Sequence, residues 1–366
     1  MRPGMQTLLE ILRGRAGCRA VDTAEWDAAL ILAHQEHVLP FVAARILQSG
    51  IELPDAIRQR VVQAQREATL AAFFWTSELR ILLREFAAAK IDVIPLKGPS
   101  LAERLYGGTA LRISRDLDVL VRKSDYVASE SLLASLDFIP TGRPDDYHRQ
   151  WRRETATIEL HFDVENPLAI DFHVAGAWER SRPGVFSGQP CRILAPDYEL
   201  LYLCIHGVRH RFERLSLVLD IALALETFAG SQLNLRKETA GLTRLVMLGI
   251  AMASHLNPEC AGKLDNVHAS PASQRMQRLA DNLWHELMEA PQPELDWQSQ
   301  HAFFLETELT PSSRFLRRVA HMRIAATRLI DPDFAFAARF GLRRPWQVWL
   351  LRPARLLFAR SRPHTR

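Results

Sequence analysis

The sequence has little cysteine, little lysine and no long hydrophobic run. Its four cysteines, Cys18, Cys191, Cys204 and Cys260, are scattered over 366 residues, with no two at the spacing of a metal site or a redox pair. A disulfide scaffold is thereby excluded, and a reducing, cytoplasmic location is expected. No stretch approaches the roughly 18 to 20 uninterrupted apolar residues of a membrane span. The nearest, Leu215 to Leu225, is short and carries Asp220. Met1 to Cys18 contains basic residues but no compact apolar run before a small-residue cleavage site, so no signal peptide is expected. Repeats of fixed period are missing too, and the only compositional bias is arginine near the end. With 48% hydrophobic and 24% charged residues, the composition is that of a folded chain, which excludes disorder and collagen.

Charge is present but unevenly placed. The net formal charge is +4, yet Pro311 to Arg366 holds thirteen arginines against Asp331 and Asp333, a local balance of +11. The rest of the chain therefore carries −7, and the protein reads as an acidic body with a basic C-terminal segment. Lys90, Lys97, Lys123, Lys237 and Lys263 are the only lysines, so a lysine inside a motif stands out.

Periodicity divides the chain. Residues 1–88 repeat apolar residues at helical spacing, as in Leu8, Leu9 and Leu12 or Trp26, Leu30 and Ile31, with a long helix expected over Ala64 to Ala89. Over 89–195 the pattern mixes short β-branched runs with helices. Ile91 to Leu96 is a strand candidate, followed by a helix from Pro99 to Leu105. Leu117 to Val121 is a second strand, and Ser124 to Leu136 a helix with Ser124 as N-cap. Thr141 to Arg153 reads as polar and turn-rich, leading to a strand over Thr157 to Phe162. Helices return over 196–330, at Asp197 to His210, Leu215 to Phe228, Lys237 to His255 and Ser273 to Met288, and 331–366 is the basic tail. The expected class is α+β, a small mixed β-sheet core flanked by N- and C-terminal α-helical regions.

The chemistry concentrates around Arg115-Asp116-Leu117-Asp118-Val119. In a strand, Asp116 and Asp118 share one face while Leu117 and Val119 point into a core. Two carboxylates so close repel each other unless a cation sits between them, and hard oxygen ligands suit Mg²⁺ or Mn²⁺. Glu159, in Thr157-Ile158-Glu159-Leu160-His161-Phe162, adds a third acid on another strand. Such a trio can form a two-metal clamp for in-line displacement at phosphorus. The bland reading is an Asp-x-Asp decorating a solvated strand edge. What favours the site is the Lys97-Gly98 turn at the end of a β-type run, where glycine admits a phosphate close to the backbone and Lys97 adds a point charge. Arg112 and Arg115 precede the aspartates, so cations and carboxylates converge on one rim as a metal-triphosphate site requires.

Taken in order, Leu96-Lys97-Gly98, Tyr106, Arg112, Asp116-x-Asp118, Ile158-Glu159-Leu160-His161, His206, His210, Arg214-Leu215 and Asp220-Ile221 resemble the motifs of a bacterial family of uncharacterised nucleotidyltransferases in the polymerase-β-like superfamily. The resemblance covers roughly residues 90 to 225. It implies a nucleotidyltransferase core in which Asp116, Asp118 and Glu159 are the catalytic acids and metal ligands, with Glu159 as ligand or base. It implies Mg²⁺ or Mn²⁺ as cofactor, an NTP as substrate and an unidentified small-molecule acceptor; RNA or a protein side chain is the alternative acceptor. Lys97 and Gly98 occupy the turn where the wider superfamily has Gly-Ser on the triphosphate, and with Arg112 and Arg115 they are the expected nucleotide-binding residues. Phe162 stands where tryptophan often follows Ile-Glu-Leu-His. A non-catalytic NTP sensor or assembly protein of the same fold is the opposing reading.

Other polar residues have plainer readings. His206 and His210 are at i and i+4, a spacing that can hold zinc, but no third ligand is evident, so packing is preferred. Asp220 lies in an apolar helix and needs a basic partner, Arg112 or Arg214, in a structural ion pair; the alternative is that it orients a substrate-binding arginine. His161 shares a face with Glu159. Arg209, Arg211 and Arg214 either reach a phosphate or form a solvated face. The basic tail is not a clean amphipathic helix and is expected to dock on the protein's own acidic body, with anionic lipid or RNA as alternative partners.

Overall fold

Four helices come first, as the helical repeat of apolar residues requires: α1 (Met5–Leu12), α2 (Thr23–Gln35), α3 (Leu39–Ser49) and α4 (Asp55–Ala88). The computed structural model describes residues 1–15, 21–141, 147–164, 172, 174–228, 242–260, 271–293, 303, 307, 336–342 and 347–352. Asp22 caps α2 by accepting from the Glu25 amide at 2.8 Å. The long helix expected from Ala64 begins already at Asp55, because Ile57 and Val61 continue its buried stripe back to Pro54.

The sheet follows. Strands β1 (Val93–Pro95), β2 (Leu117–Val121), β3 (Ile139–Thr141), β4 (His148–Arg153) and β5 (Ala156–His161) are arranged β1-β2-β5-β4-β3, and only the β2/β5 pair is parallel. Between β1 and β2, α5 (Gly98–Leu101) runs into a π-helical turn over Ala102–Tyr106. The helix α6 (Tyr126–Ser135) starts after a 3₁₀ turn, and Ser124 does not cap it: its hydroxyl donates to Asp125 instead. The stretch expected to be turn-rich is in part strand. Trp151 is the only fully buried residue of β4 and its polar neighbours are half-buried or exposed, so the alternation is too sparse to show in the sequence.

After α7 (Val174–Arg180) comes a hairpin that the sequence pattern did not reveal, β6 (Arg182–Phe186) and β7 (Gln189–Ile193). Its two-residue loop, Ser187-Gly188, has positive φ at both positions, the hairpin turn that matches strand twist. The expected later helices are α8 (Pro196–Arg209), α9 (Leu215–Thr227), α10 (Thr243–Leu256) and α11 (Pro271–Glu289). The part of the third placed before Leu242 lies outside the described residues.

Strand alternation divides the apolar interior. Leu117, Val119, Val121, Ile158, Leu160 and Trp151 face α4, joining Leu79, Leu83 and Phe86 in one cluster. Ile94, Leu96 and Leu120 point the other way, into a larger cluster with α1, α3 and the C-terminal helices. The site acids belong to this second face.

By contact the chain divides into Met1–Glu308 and Leu309–Arg366. In the latter, short helical turns include Phe336 and Phe340, edge to face at 5.5 Å. Of the thirteen arginines in Pro311 to Arg366 only Arg339 and Arg352 are among the described residues, and the expected docking of the tail lies outside them. No helix among the described residues is long and apolar enough to cross a membrane, and Cys191 and Cys204 are free thiols.

Candidate active site

Strand register brings the acids together. Asp118 on β2 is the direct partner of Glu159 on parallel β5, and Leu120 is the partner of His161. Because side chains alternate, Asp118, Glu159 and His161 emerge on one face. His161 Nε2 lies 3.5 Å from Asp118 Oδ1 and 3.4 Å from Glu159 Oε2. These three residues each bring a ligand atom within 4.8 Å of the others. Asp116 is not among those three but lines the same cleft, whose volume is about 420 Å³.

Lys97 ends the β1 connection with its ammonium 3.0 Å from Asp118 Oδ1. The turn requires Gly98, whose φ of +67° is left-handed. Thus the lysine expected beside phosphate rests on a carboxylate. Asp118 Oδ1 is anchored by Lys97, while its Oδ2 is buried with no hydrogen-bond partner. An unpartnered buried carboxylate oxygen next to two further donors fits a divalent cation of the Mg²⁺ or Mn²⁺ type.

The electrostatics follow from crowding. Burial raises the Asp116 carboxyl, and the neighbouring Asp118 charge raises it further. Burial acts on Asp118 in the same sense, but Lys97 and His161 outweigh it and hold Asp118 well below the usual carboxylate range. Burial alone would lower His161; its contacts with Asp118 and Glu159 raise it to about 9. Behind it, His148 stacks on the imidazole with ring centres 4.9 Å apart. Burial and the adjacent His161 hold His148 down at about 4.

Helices α8 and α9 form the opposite wall. Tyr202, His206 and Arg209 lie at successive helical turns of α8 and line the cleft. His206 packs edge to face on His210 at 4.7 Å, and burial drives it well below its ordinary pKa, consistent with a packing role. Arg112 lines the cleft too, but its guanidinium is bidentate to Asp220, with Nε on Oδ1 and Nη2 on Oδ2, both at 2.8 Å. The Tyr106 hydroxyl donates to the same Oδ1 at 2.6 Å. This is the structural ion pair expected for Asp220, and it fixes the Arg112 side chain.

The family's sequence profile matches residues 22–258. The chain belongs to the uncharacterised nucleotidyltransferase family. Among solved structures, the chain is similar to an antigenic nucleotidyltransferase-like protein from Paracoccidioides brasiliensis, at 15% identity and TM-score 0.37, over 52% of this chain and 91% of that one. It is also similar to the antibiotic-resistance factor ANT(2'')-Ia, at 11% identity and TM-score 0.30, over 68% and 96%. No curated protein matches the chain significantly.

One residue of the site escaped the sequence reading. His37, in the turn between α2 and α3, lines the cleft beside Arg115 and Arg214. Nothing local marks it, since the contact joins residues 78 and 177 positions apart.

Proposed function

We propose that the protein transfers a nucleoside monophosphate from an NTP to the hydroxyl of a small-molecule acceptor in a Mg²⁺- or Mn²⁺-dependent reaction. The acceptor oxygen bonds to the α-phosphorus as the bond to the departing pyrophosphate breaks. The observation that carries this reading is the pairing of Asp118 with Glu159 across parallel strands, with Asp118 Oδ2 left unpartnered in a cleft of a nucleotidyltransferase-family chain.

Asp116, Asp118 and Glu159 would hold the metal. The cation they would hold would lower the pKa of the acceptor hydroxyl and neutralise charge on the triphosphate. Lys97 holds one oxygen of Asp118 and so orients the other. Asp220 and Tyr106 keep Arg112 in a fixed pose at the cleft wall. Gly98 lets the backbone turn tightly at the cleft, beside Asp116, where a phosphate would approach the main chain.

The test is incubation of the full-length protein with α-phosphate-labelled NTPs, Mn²⁺ or Mg²⁺ and a broad extract of metabolites and RNA. Wild type is expected to release pyrophosphate and label an acceptor, and Asp118→Ala to do neither. NTP binding without turnover by both proteins would instead make the cleft a nucleotide sensor.

A further inference from the structure

His37 is an unusual residue for a helix-to-helix turn. Its backbone is left-handed, at φ +59°, a conformation disfavoured for a non-glycine residue. The turn is nevertheless tightly held. The preceding residue, Glu36, is buried; one carboxylate oxygen accepts from Arg2 Nη2 at 2.7 Å and the other from the Leu215 amide at 2.9 Å. The Glu36 carbonyl also accepts from the Ser216 amide at 3.2 Å. The N-terminal region is thus clamped to the start of α9, and the clamp pushes the next side chain, His37, into the cleft.

There the imidazole gathers two guanidiniums. Arg115 Nη2 is 3.0 Å from His37 Nε2, and Arg214 Nη1 contacts the same nitrogen and lies 3.1 Å from Nδ1. A neutral imidazole offers one lone pair, and the shared contact assigns it to Nε2. A neutral acceptor thus draws two like charges together without neutralising either. Among the described residues Arg115 has no carboxylate within ion-pairing distance, and the nearest to Arg214 is Glu213 Oε1, 3.7 Å from Nε. The other cleft cations differ, since Lys97 is committed to Asp118 and Arg112 to Asp220.

We infer that Arg115 and Arg214, positioned by His37, form a phosphate-binding subsite at the cleft, with the N-terminal helical region supplying the positioning residue. The inference rests on the nucleotidyltransferase reading only in expecting a phosphorylated ligand. Paired guanidiniums bind phosphate oxygens by multiple charge-assisted hydrogen bonds. The phosphate belongs either to the NTP or to a phosphorylated acceptor.

The experiment is calorimetric titration of the full-length protein with tripolyphosphate in EDTA, which needs neither metal nor turnover. Wild type is expected to bind, whereas Arg115→Ala and Arg214→Ala each weaken binding by about tenfold or more. His37→Gly, which suits the left-handed backbone and so keeps the fold, is expected to weaken binding about three- to tenfold. His37→Gln, whose amide oxygen replaces Nε2 as acceptor, should stay within about twofold of wild type. Equal binding by His37→Gly and wild type, equal binding by the arginine variants and wild type, or a His37→Gln as weak as His37→Gly overturns the inference. Titrations with Mg²⁺-NTP and with glycerol phosphate then identify the source: loss of NTP affinity in the same variants assigns the donor, and loss of glycerol phosphate affinity alone assigns the acceptor. Absence of turnover with tripolyphosphate binding intact would reject the enzyme reading and leave the subsite standing.

Discussion

Asp118 and Glu159 are register partners on the one parallel strand pair of the sheet, and Lys97 reaches the first of them from the neighbouring antiparallel strand's end. The ammonium therefore shares with His161 the compensation of a buried carboxylate. Lys97→Met is expected to lower stability by about 3–5 kcal/mol, the usual cost of removing one partner of a buried ion pair. Mn²⁺ should restore part of that loss, so the rise in thermal midpoint on adding Mn²⁺ is larger for Lys97→Met than for wild type. Equal rises would show that Lys97 and the metal do not share Asp118.

The Asp220 cluster separates charge from hydrogen bonding. Asp220→Ala strands the buried Arg112 guanidinium and is expected to cost about 3–5 kcal/mol, whereas Tyr106→Phe removes one hydrogen bond and costs about 1 kcal/mol. Urea unfolding of the two variants measures the difference, and equal losses would contradict the ion-pair account.

Two left-handed glycines offer a matched comparison. Gly50 ends α3 at φ +67° with nothing near a would-be Cβ, so Gly50→Ala should cost about 1–2 kcal/mol from backbone strain alone. Gly4, at φ +75°, would place a Cβ 2.3 Å from the Ala29 amide nitrogen of α2. Gly4→Ala must also push α1 away from α2, adding roughly 1–3 kcal/mol. Similar thermal midpoints for the two variants would refute the close approach.

Acid should act on His37. Burial first, then the charges of Arg214, Arg115 and His34, hold its pKa at about 4 against an ordinary 6.5. Between those values the unfolded chain binds the proton and the folded one does not. The histidine's contribution is therefore complete above pH 6.5 and lost as pH falls towards 4. NMR titration of the imidazole should give a midpoint well below 6 in wild type and a higher one in Arg214→Ala. An unshifted wild-type midpoint would contradict the arginine contacts.

Much of the site was legible because its signals are local. The alternation in Leu117 to Val121 placed Asp116 and Asp118 on one face, and the same rule placed His161 with Glu159. The helical stripe of α8 and α9 was equally readable, as was the need of Asp220 for a cation. Strands β4 and β3 were not, since Trp151 is the only fully buried side chain in β4 and no alternation emerges from its charged neighbours. The hairpin β6/β7 was hidden for a similar reason, with most of its residues at least partly exposed.

The sequence by itself determined the secondary periods, the acid trio and the uneven charge, because these depend on neighbours within a few residues. Tertiary structure alone decided that Lys97 lies on Asp118, that Asp220 chooses Arg112, and that His37 reaches the arginines of the cleft. Each of those choices joins elements distant in the chain. Each is settled by which charge is left uncompensated once the sheet and helices have excluded water from between them.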